Sequence, residues 1–325
     1  MSNFYKNKQQ IINWLEKHEV KNYILVPDEK YGFIVNVIGD VDLSFKELIN
    51  IPVKFSEVTG IFNCSDNKLI SLEFCPEIVG SHFYCFNNQL TSLEFSPQTV
   101  GGNFYCYVNK LTSLEFSPQI VKGNFDCCNN HLSSLEFCPQ TVGGSFYCSH
   151  NQLTSLKFSP TNIKSGFYCN NNQLTSLEFC TKNIGDDFYC NNNQLTSLEF
   201  CPQKVDGNFS CSHNQLTSLE FSPKTVNGNF DCSDTKLVSL EFCSQTVGGE
   251  FDCYNNQLTS LEFCPQAVGG SFFCSDNPEL KEIQEITDFK LIYLEHKKTL
   301  ITKFSDKLEN DLTNDKSKKT AKIKI

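Results

Sequence analysis

Residues 142–163 read VGGSFYCSHNQLTSLKFSPTNI and contain the unit from which most of the chain is built. The same pattern returns every 21 residues, with a cysteine at the same position of every copy from Cys64 to Cys274. Phe stands two residues before each of these cysteines. Asn stands three residues after all of them but one, where Thr235 replaces it. Such regularity predicts a repeat architecture in which each copy folds into the same coil and stacks on its neighbours.

The spacing inside the unit predicts a short strand with an inner and an outer face. Phe146 and Cys148 are expected to face inward and Tyr147 outward, because side chains alternate along a strand. Asn151 is expected to bond to the turn backbone, and its repetition predicts a ladder of buried amides. Two leucines, a second Phe (Phe158 in this copy) and a closing Val or Ile complete six inward columns. Pro and Gly predict an extended or 3₁₀ return instead of a long helix.

The pattern divides the chain into three parts. Residues 37–283 form the repeat array, with one degenerate coil followed by eleven clear coils. Residues 1–36 are predicted to be an N-terminal cap with a helix at 7–19, strands at 23–26 and 33–37, and Trp14 in the core. Residues 284–325 are predicted to form a C-terminal cap helix, at about 296–312, and a basic tail. Partner binding by this helix, or an anionic-surface contact by the tail, is the alternative.

The composition and the charge argue against nucleic acid as a partner. The 325 residues include no Arg, and the net charge is −10. An acidic chain without guanidinium groups is poorly suited to phosphates and guanine edges, so nucleic acid is not expected as a partner. The polar start MSNFYKNKQQ does not resemble a signal peptide, and no apolar run is long enough to span a membrane. We therefore expect the protein in the cytoplasm, with the cytoplasm of a host cell as the alternative. We also expect it to be a monomer.

The 18 cysteines are expected to be packing residues. The regularly spaced column lies on the inner face, where Cys behaves as a small hydrophobic residue. A second column contains Cys or Ser at the same phase, as at Cys138 and Ser159, which indicates a need for a small side chain. Zinc binding or disulfides are the alternative. No cofactor is expected, and no nucleophile, base and orienting group converge, so the chain is not expected to be an enzyme.

The repeated segment G-x-x-F-x-C-x-x-N-x-L resembles the leucine-rich-repeat signature L-x-x-L-x-L-x-x-N/C-x-L. It places Phe and Cys at the two strand leucines and leaves the first leucine position variable. The short coils are similar to arrays in bacterial effectors, large DNA viruses and phages. The resemblance implies a β-rich solenoid, a right-handed coil with a parallel concave sheet, and a role in binding proteins.

The outward residues of the strands are the candidate binding site. They are aromatic in early coils and acidic in later ones, and none of the three outward columns carries Lys in a clear coil. The set comprises Tyr84, Phe86, Tyr105, Tyr107, Asp126, Tyr147, Tyr168, Tyr189, Asp231, Glu250, Asp252 and Tyr254. Exposed aromatic groups on a rigid sheet are typical of protein-binding hot spots.

The leading hypothesis is therefore a scaffold that binds a protein partner. A glycan-binding module on the same tyrosines and an adaptor that recruits an enzyme are the alternatives. A separate column of glutamates, from Glu73 to Glu262, is expected to be a solvated edge, with a cation or a basic partner as its alternative.

Overall fold

The computed structural model describes residues 4–283 and the single positions 294, 298, 301, 302 and 305. Helix α1 (Lys8–Lys17) and strands β1 (Tyr23–Asp28) and β2 (Gly32–Val37) precede a stack of coils, and a 3₁₀ helix (Pro278–Ile283) follows it. The cap helix predicted for 296–312 falls mostly outside the described residues. Among the described residues, no helix has the length and apolarity required to cross a membrane.

One residue pair per coil forms a twelve-stranded parallel sheet, here called the front sheet. Each pair aligns with the equivalent pair of the next coil, as Phe146 aligns with Phe167. The degenerate first coil takes part through Val41, which confirms its predicted phase. The strands are Val41–Asp42 (β3), Phe62–Asn63 (β5), Phe83–Tyr84 (β7), Phe104–Tyr105 (β9), Phe125–Asp126 (β11), Phe146–Tyr147 (β13), Phe167–Tyr168 (β15), Phe188–Tyr189 (β16), Phe209–Ser210 (β18), Phe230–Asp231 (β20), Phe251–Asp252 (β22) and Phe272–Phe273 (β24).

The return segments form two further sheets, which confirms an extended return. An eight-stranded sheet begins with β1 and β2, and a four-stranded sheet follows it. The two sheets are separate because the return segment at Ile184, between them, does not form a strand. The return strands are Phe55–Val58 (β4), Ile78–Val79 (β6), Thr99–Val100 (β8), Ile120–Val121 (β10), Thr141–Val142 (β12), Asn162–Ile163 (β14), Lys204–Val205 (β17), Thr225–Val226 (β19), Thr246–Val247 (β21) and Ala267–Val268 (β23).

The core between the sheets is made of continuous columns of identical side chains. The strand phenylalanines from Phe62 to Phe272 are fully buried, and successive ring centroids lie 5.1–6.0 Å apart. The strand cysteines and both leucine columns are buried beside them, as Cys127, Leu132 and Leu135 show. Because each coil shares its core with two neighbours, stacking and not any single coil stabilises the fold.

One of the six columns predicted to face inward faces solvent instead. The second Phe of each coil is 43–56% exposed from Phe95 to Phe263. In Phe95 the backbone is left-handed, with φ at 68°, and the chain reverses there so that the next residue, Ser96, is buried in its place. The prediction for this column was wrong because it assumed that the inward pattern continues from Leu93 to Phe95. The left-handed backbone at Phe95 turns the side chain outward instead.

The asparagine ladder is confirmed. Asn151 is buried, and its Nδ2 donates to the carbonyl oxygens of Cys127, Cys148 and Ser149 at 3.0, 3.1 and 3.2 Å. Its Oδ1 accepts the backbone N–H of Leu132 in the preceding coil at 3.0 Å. One amide therefore satisfies turn groups of two coils that would otherwise be buried without partners.

The second Cys/Ser column has a polar role besides its small size. The Ser96 hydroxyl donates to the carbonyl oxygen of Phe116 at 2.8 Å, and the Cys138 thiol donates to that of Phe158 at 2.9 Å. Burial raises the pKa of Cys138 to about 12, so the thiol stays protonated and keeps its hydrogen. A small side chain with one hydrogen-bond donor fits this position, which explains why the column contains either Cys or Ser.

The N-terminal unit continues the stack, with α1 and both strands close to their predicted bounds. The Asn7 carboxamide caps α1, and Trp14 is buried as predicted, with its ring 6.4 Å from that of Phe55. Strand β2 pairs with β4 and so places this unit at the end of the eight-stranded sheet. Gly32 begins β2 with a φ of 73°, a conformation that suits Gly at the end of the hairpin turn.

Candidate functional site

The residues between Phe and Cys form a stripe on the outer face of the front sheet. Phe146 and Cys148 are buried and Tyr147 is partly exposed, as the alternation predicts. Register pairing places Tyr84 beside Tyr105 and then, beyond Asp126, Tyr147 beside Tyr168 and Tyr189. We call these six residues the tyrosine stripe.

Neighbouring rings of the stripe pack on one another. Tyr147 and Tyr168 stack with centroids 4.4 Å apart and planes 10° apart, and Tyr84 and Tyr105 stack at 5.1 Å. Tyr168 and Tyr189 meet edge to face at 5.2 Å. A second row stacks alongside, where Phe86 and Tyr107 lie 4.4 Å apart. Since the rings hold one another in place, they present a preorganised surface on which a ligand would cause little loss of side-chain entropy.

Polar residues that directly precede strands of the front sheet bind the hydroxyl groups of two tyrosines of the stripe. The Tyr105 hydroxyl accepts from Nδ2 of Asn103 and of Asn124, at 3.0 and 3.2 Å. The Tyr168 hydroxyl donates to the Asp187 carboxylate at 2.8 Å, and burial together with this bond raises the pKa of Tyr168. These positions were not among the predicted site residues. Their signal was the repeated Asn or Asp directly before the strand Phe, visible at Asn103, Asn124 and Asp187.

The stripe ends at Ser210, where a small residue replaces Tyr and opens a recess of about 460 Å³. The recess joins the aromatic and acidic parts of the candidate site. Its lining is Asn170, Tyr189, Asn191, Asn208, Phe209, Ser210, Asn229, Phe230, Asp231, Glu250 and Asp252. Three carboxylates and no cationic side chain line it, so it suits a basic group.

Hydrogen bonds hold two of these carboxylates at the recess wall. Ser210 Oγ donates to Asp231 Oδ2 at 2.8 Å, and the Ser233 backbone and hydroxyl donate to Asp231 Oδ1 at 3.0 and 2.7 Å. Asp252 Oδ1 accepts the backbone N–H of Tyr254 at 2.9 Å. Tyr254 itself is 37% exposed and is not among the lining residues.

Burial disfavours the ionised form of carboxylates in the acidic part of the site. It raises the pKa of Asp252 from its ordinary value of 3.8 to about 6, and the neighbouring carboxylates of Asp231 and Glu250 contribute in the same direction. Burial also raises the pKa of Asp126 within the tyrosine stripe. A cation placed among these groups would relieve both the repulsion and the lost hydration.

Replacing Asp252 with Asn should therefore stabilise the protein above pH 6. The folded-state pKa lies above the unfolded value, so the folded chain binds this proton more tightly and stability falls as pH rises from about 4 to 6. The gain at pH 7.5 should be about 1 kcal/mol, reduced from the full shift because the carboxylate is partly solvated. Urea unfolding at pH 4 and pH 7.5 measures it. An equal effect at both pH values, or no gain at pH 7.5, would contradict this assignment; the exposed Glu220→Gln is the control.

The glutamate column lies away from the front sheet, and its members from Glu94 to Glu262 are exposed. Each Glu follows a short turn in which the Ser two residues earlier accepts its backbone N–H, as Ser92 Oγ accepts that of Glu94 at 3.0 Å. Lys157 interrupts the column and places its ammonium 4.9 Å from the ring centroid of Phe158. Over the described residues, no cluster of three or more His, Cys, Asp or Glu is placed to hold a metal ion.

Stacked 21-residue coils, with a parallel sheet of F-x-C strands and an inner asparagine ladder, define a leucine-rich-repeat solenoid. Among solved structures, the chain is similar in fold to the leucine-rich-repeat protein YopM from Yersinia enterocolitica, with a TM-score of 0.56 and 19% sequence identity. The alignment covers 73% of this chain and 56% of the YopM chain, a little over half its length. No family model and no curated protein matches the sequence.

Proposed function

We propose that the protein is a non-enzymatic scaffold that binds a protein partner on the outer face of the front sheet. The observation that carries the proposal is the continuity of the tyrosine stripe with the acidic recess at Ser210. Rigid aromatic groups provide most of the binding energy at many protein interfaces, and a carboxylate-lined recess adds selectivity for a basic side chain. The partner that fits is a protein presenting apolar groups beside a Lys or Arg.

The ring geometry favours a protein over a glycan. Sugars stack on an exposed aromatic face, whereas Tyr147 and Tyr168 direct their faces toward each other at 4.4 Å. Their edges and hydroxyl groups remain for contact, and these suit the mixed polar and apolar surface of a protein. A glycan array probed with the full chain tests the alternative, and specific binding to an oligosaccharide would favour it.

The adaptor alternative assigns a second function to residues 284–325. In that case deletion of this segment would release a second protein without affecting the partner on the front sheet. We place the scaffold in the cytoplasm, with no cofactor, no nucleic acid and no membrane among its partners, and acting as a monomer. The exclusion of nucleic acid rests on the acidic composition without Arg, and that of the membrane on the lack of a long apolar run.

Replacing both Tyr147 and Tyr168 with Ala tests the proposed surface. The full chain, immobilised, captures a partner that mass spectrometry identifies, and calorimetry with the purified partner then gives the affinity. We expect the double variant to bind at least about 30-fold more weakly, which corresponds to about 2 kcal/mol. Thr154→Ala with Thr175→Ala, on exposed positions of the same two coils, is the matched control and should bind normally.

Circular dichroism should show that both double variants keep the fold. A partner whose affinity does not change in the tyrosine variant would contradict the proposed surface. The acidic recess predicts in addition that the partner binds more tightly as pH rises from 5 to 7, because Asp252 ionises with a pKa of about 6 in the free protein. Affinity that falls over this range would contradict a basic group in the recess.

A further inference from the structure

A row of exposed phenylalanines follows the glutamate column along the solenoid. We call the two together the Glu–Phe ridge: each coil contributes a Phe and the residue before it, which is Glu in every coil but that of Lys157. The phenylalanines are Phe95, Phe116, Phe137, Phe158, Phe179, Phe200, Phe221, Phe242 and Phe263, each 43–56% exposed. At about half of 150–250 Å² per ring, they expose roughly 700–1,100 Å² of aromatic surface.

Their summed area is similar to the roughly 800 Å² that each partner buries in a specific interface. The backbone is also unfavourable for this residue type, because φ at Phe137 is 66° and a bulky side chain rarely adopts positive φ. Asn or Gly would adopt this conformation more easily and would be better hydrated, so stability of the turn does not explain the column.

The first phenylalanine of the same column shows what can cover such a ring. Phe74 is only 4% exposed, because the N-terminal unit packs on it. The Phe4 ring lies 5.2 Å from that of Phe74, and the Tyr31 ring meets it edge to face at 5.8 Å. Phe4 and Tyr31 also contact each other at 5.9 Å, so three rings form one cluster. Aromatic side chains of the same chain can therefore bury a phenylalanine of this column.

Two lysines lie against the rings that cover Phe74. Lys30 Nζ lies 4.7 Å from the Tyr31 centroid, and Lys6 Nζ lies 5.2 Å from that of Phe4. The hydrogen bond with Tyr31 raises the pKa of Lys30, and the charges of Asp28 and Glu73 raise it further. Thus aromatic residues with lysines against them cover Phe74, and Lys30 lies within electrostatic range of Glu73.

We propose that the Glu–Phe ridge is a second docking surface, for a lysine-rich segment of another protein that carries aromatic side chains. Such a segment would repeat on later coils what Lys30 and Tyr31 do at Glu73 and Phe74. A second copy of the chain fits less well, since two ridges facing each other would bring two columns of carboxylates together. Opposite charge across the ridge and aromatic contact with the rings provide selectivity and affinity, respectively.

A designed peptide of the proposed chemistry tests the ridge directly. A short, fluorescently labelled peptide of alternating Lys and Tyr is titrated with the full chain in physiological salt, beside a Lys/Ser and a Glu/Tyr peptide of equal length. We expect the Lys/Tyr peptide to bind at least about tenfold more tightly than either. Phe116→Ser, Phe137→Ser and Phe179→Ser together should abolish that preference, and Glu115→Gln, Glu136→Gln and Glu178→Gln together should weaken binding about tenfold.

Two controls separate this surface from the tyrosine stripe and from misfolding. Thr112→Ala, Ser133→Ala and Thr175→Ala change exposed positions of the same coils outside the ridge and should leave peptide binding unchanged. Because the front sheet is also proposed to accept a basic and apolar partner, the titrations are repeated in a Tyr147→Ala, Tyr168→Ala background, where the preference for the Lys/Tyr peptide should persist. The glutamine variant retains every ring, so it remains informative if the serine variant unfolds. Absence of binding, equal binding of the three peptides, or a loss caused by the tyrosine variant and not by the ridge variants would overturn the proposal.

Discussion

Replacing Phe125 with Ala is expected to lower the free energy of unfolding by about 3–5 kcal/mol, the largest effect expected of any single change considered. Phe125 is fully buried, and its ring lies 5.4 Å from that of Phe104 and 5.8 Å from that of Phe146. Removing it opens a cavity between three coils at once. Urea unfolding followed by circular dichroism measures the loss.

The matched control is Phe137→Ala in the same coil. This ring is 47% exposed, so its removal should cost at most about 1 kcal/mol. The two variants remove the same atoms from the same coil and differ only in the column. Comparable losses in both would mean that the inner and outer faces of the coil are assigned wrongly.

Replacing Asn151 with Ala is expected to cost about 3 kcal/mol. Its amide bonds to Cys127, Cys148 and Ser149 carbonyl oxygens and to the Leu132 N–H, and alanine can satisfy none of them. Each buried group left without a partner costs about 1–3 kcal/mol, and water entering the turn would replace part of the lost bonding. Hydrogen exchange at the Leu132 amide reports on the effect locally, alongside urea unfolding.

Glu178→Gln is the control for the asparagine variant. Glu178 is exposed on the ridge, so the change should alter the free energy of unfolding by at most about 0.5 kcal/mol. If Asn151→Ala were as mild as Glu178→Gln, the amide ladder would not be the feature that holds the turns together.

Much of the fold could be predicted because the 21-residue repeat is visible in the sequence. Phe146, Cys148 and Asn151 recur without a shift in spacing, so their strand, inner face and amide ladder follow from alternation and turn chemistry. The degenerate coil was recognisable because Val41 keeps the phase of the strand Phe. The outward direction of Tyr147 follows from the same alternation.

The rest depended on contacts between coils and on unusual backbone. Phe rarely adopts positive φ, so the sequence gives no sign that the backbone at Phe95 does. A prediction from alternation alone therefore assigns the exposed phenylalanines to the core. The recess exists because Ser210 is smaller than the Tyr at the same position of the preceding coil. Asn208 and Asn229, from two neighbouring coils, also line it. The hydrogen bond between Tyr168 and Asp187 joins two coils, so no single repeat contains it.

A structure of the full chain bound to its captured partner would decide whether the front sheet is the binding surface. We expect the partner to contact Tyr147, Tyr168 and Tyr189 and to place a Lys or Arg in the recess beside Asp231 and Asp252. A complex in which the partner binds elsewhere and leaves the tyrosine stripe and the recess open to solvent would contradict the proposed function.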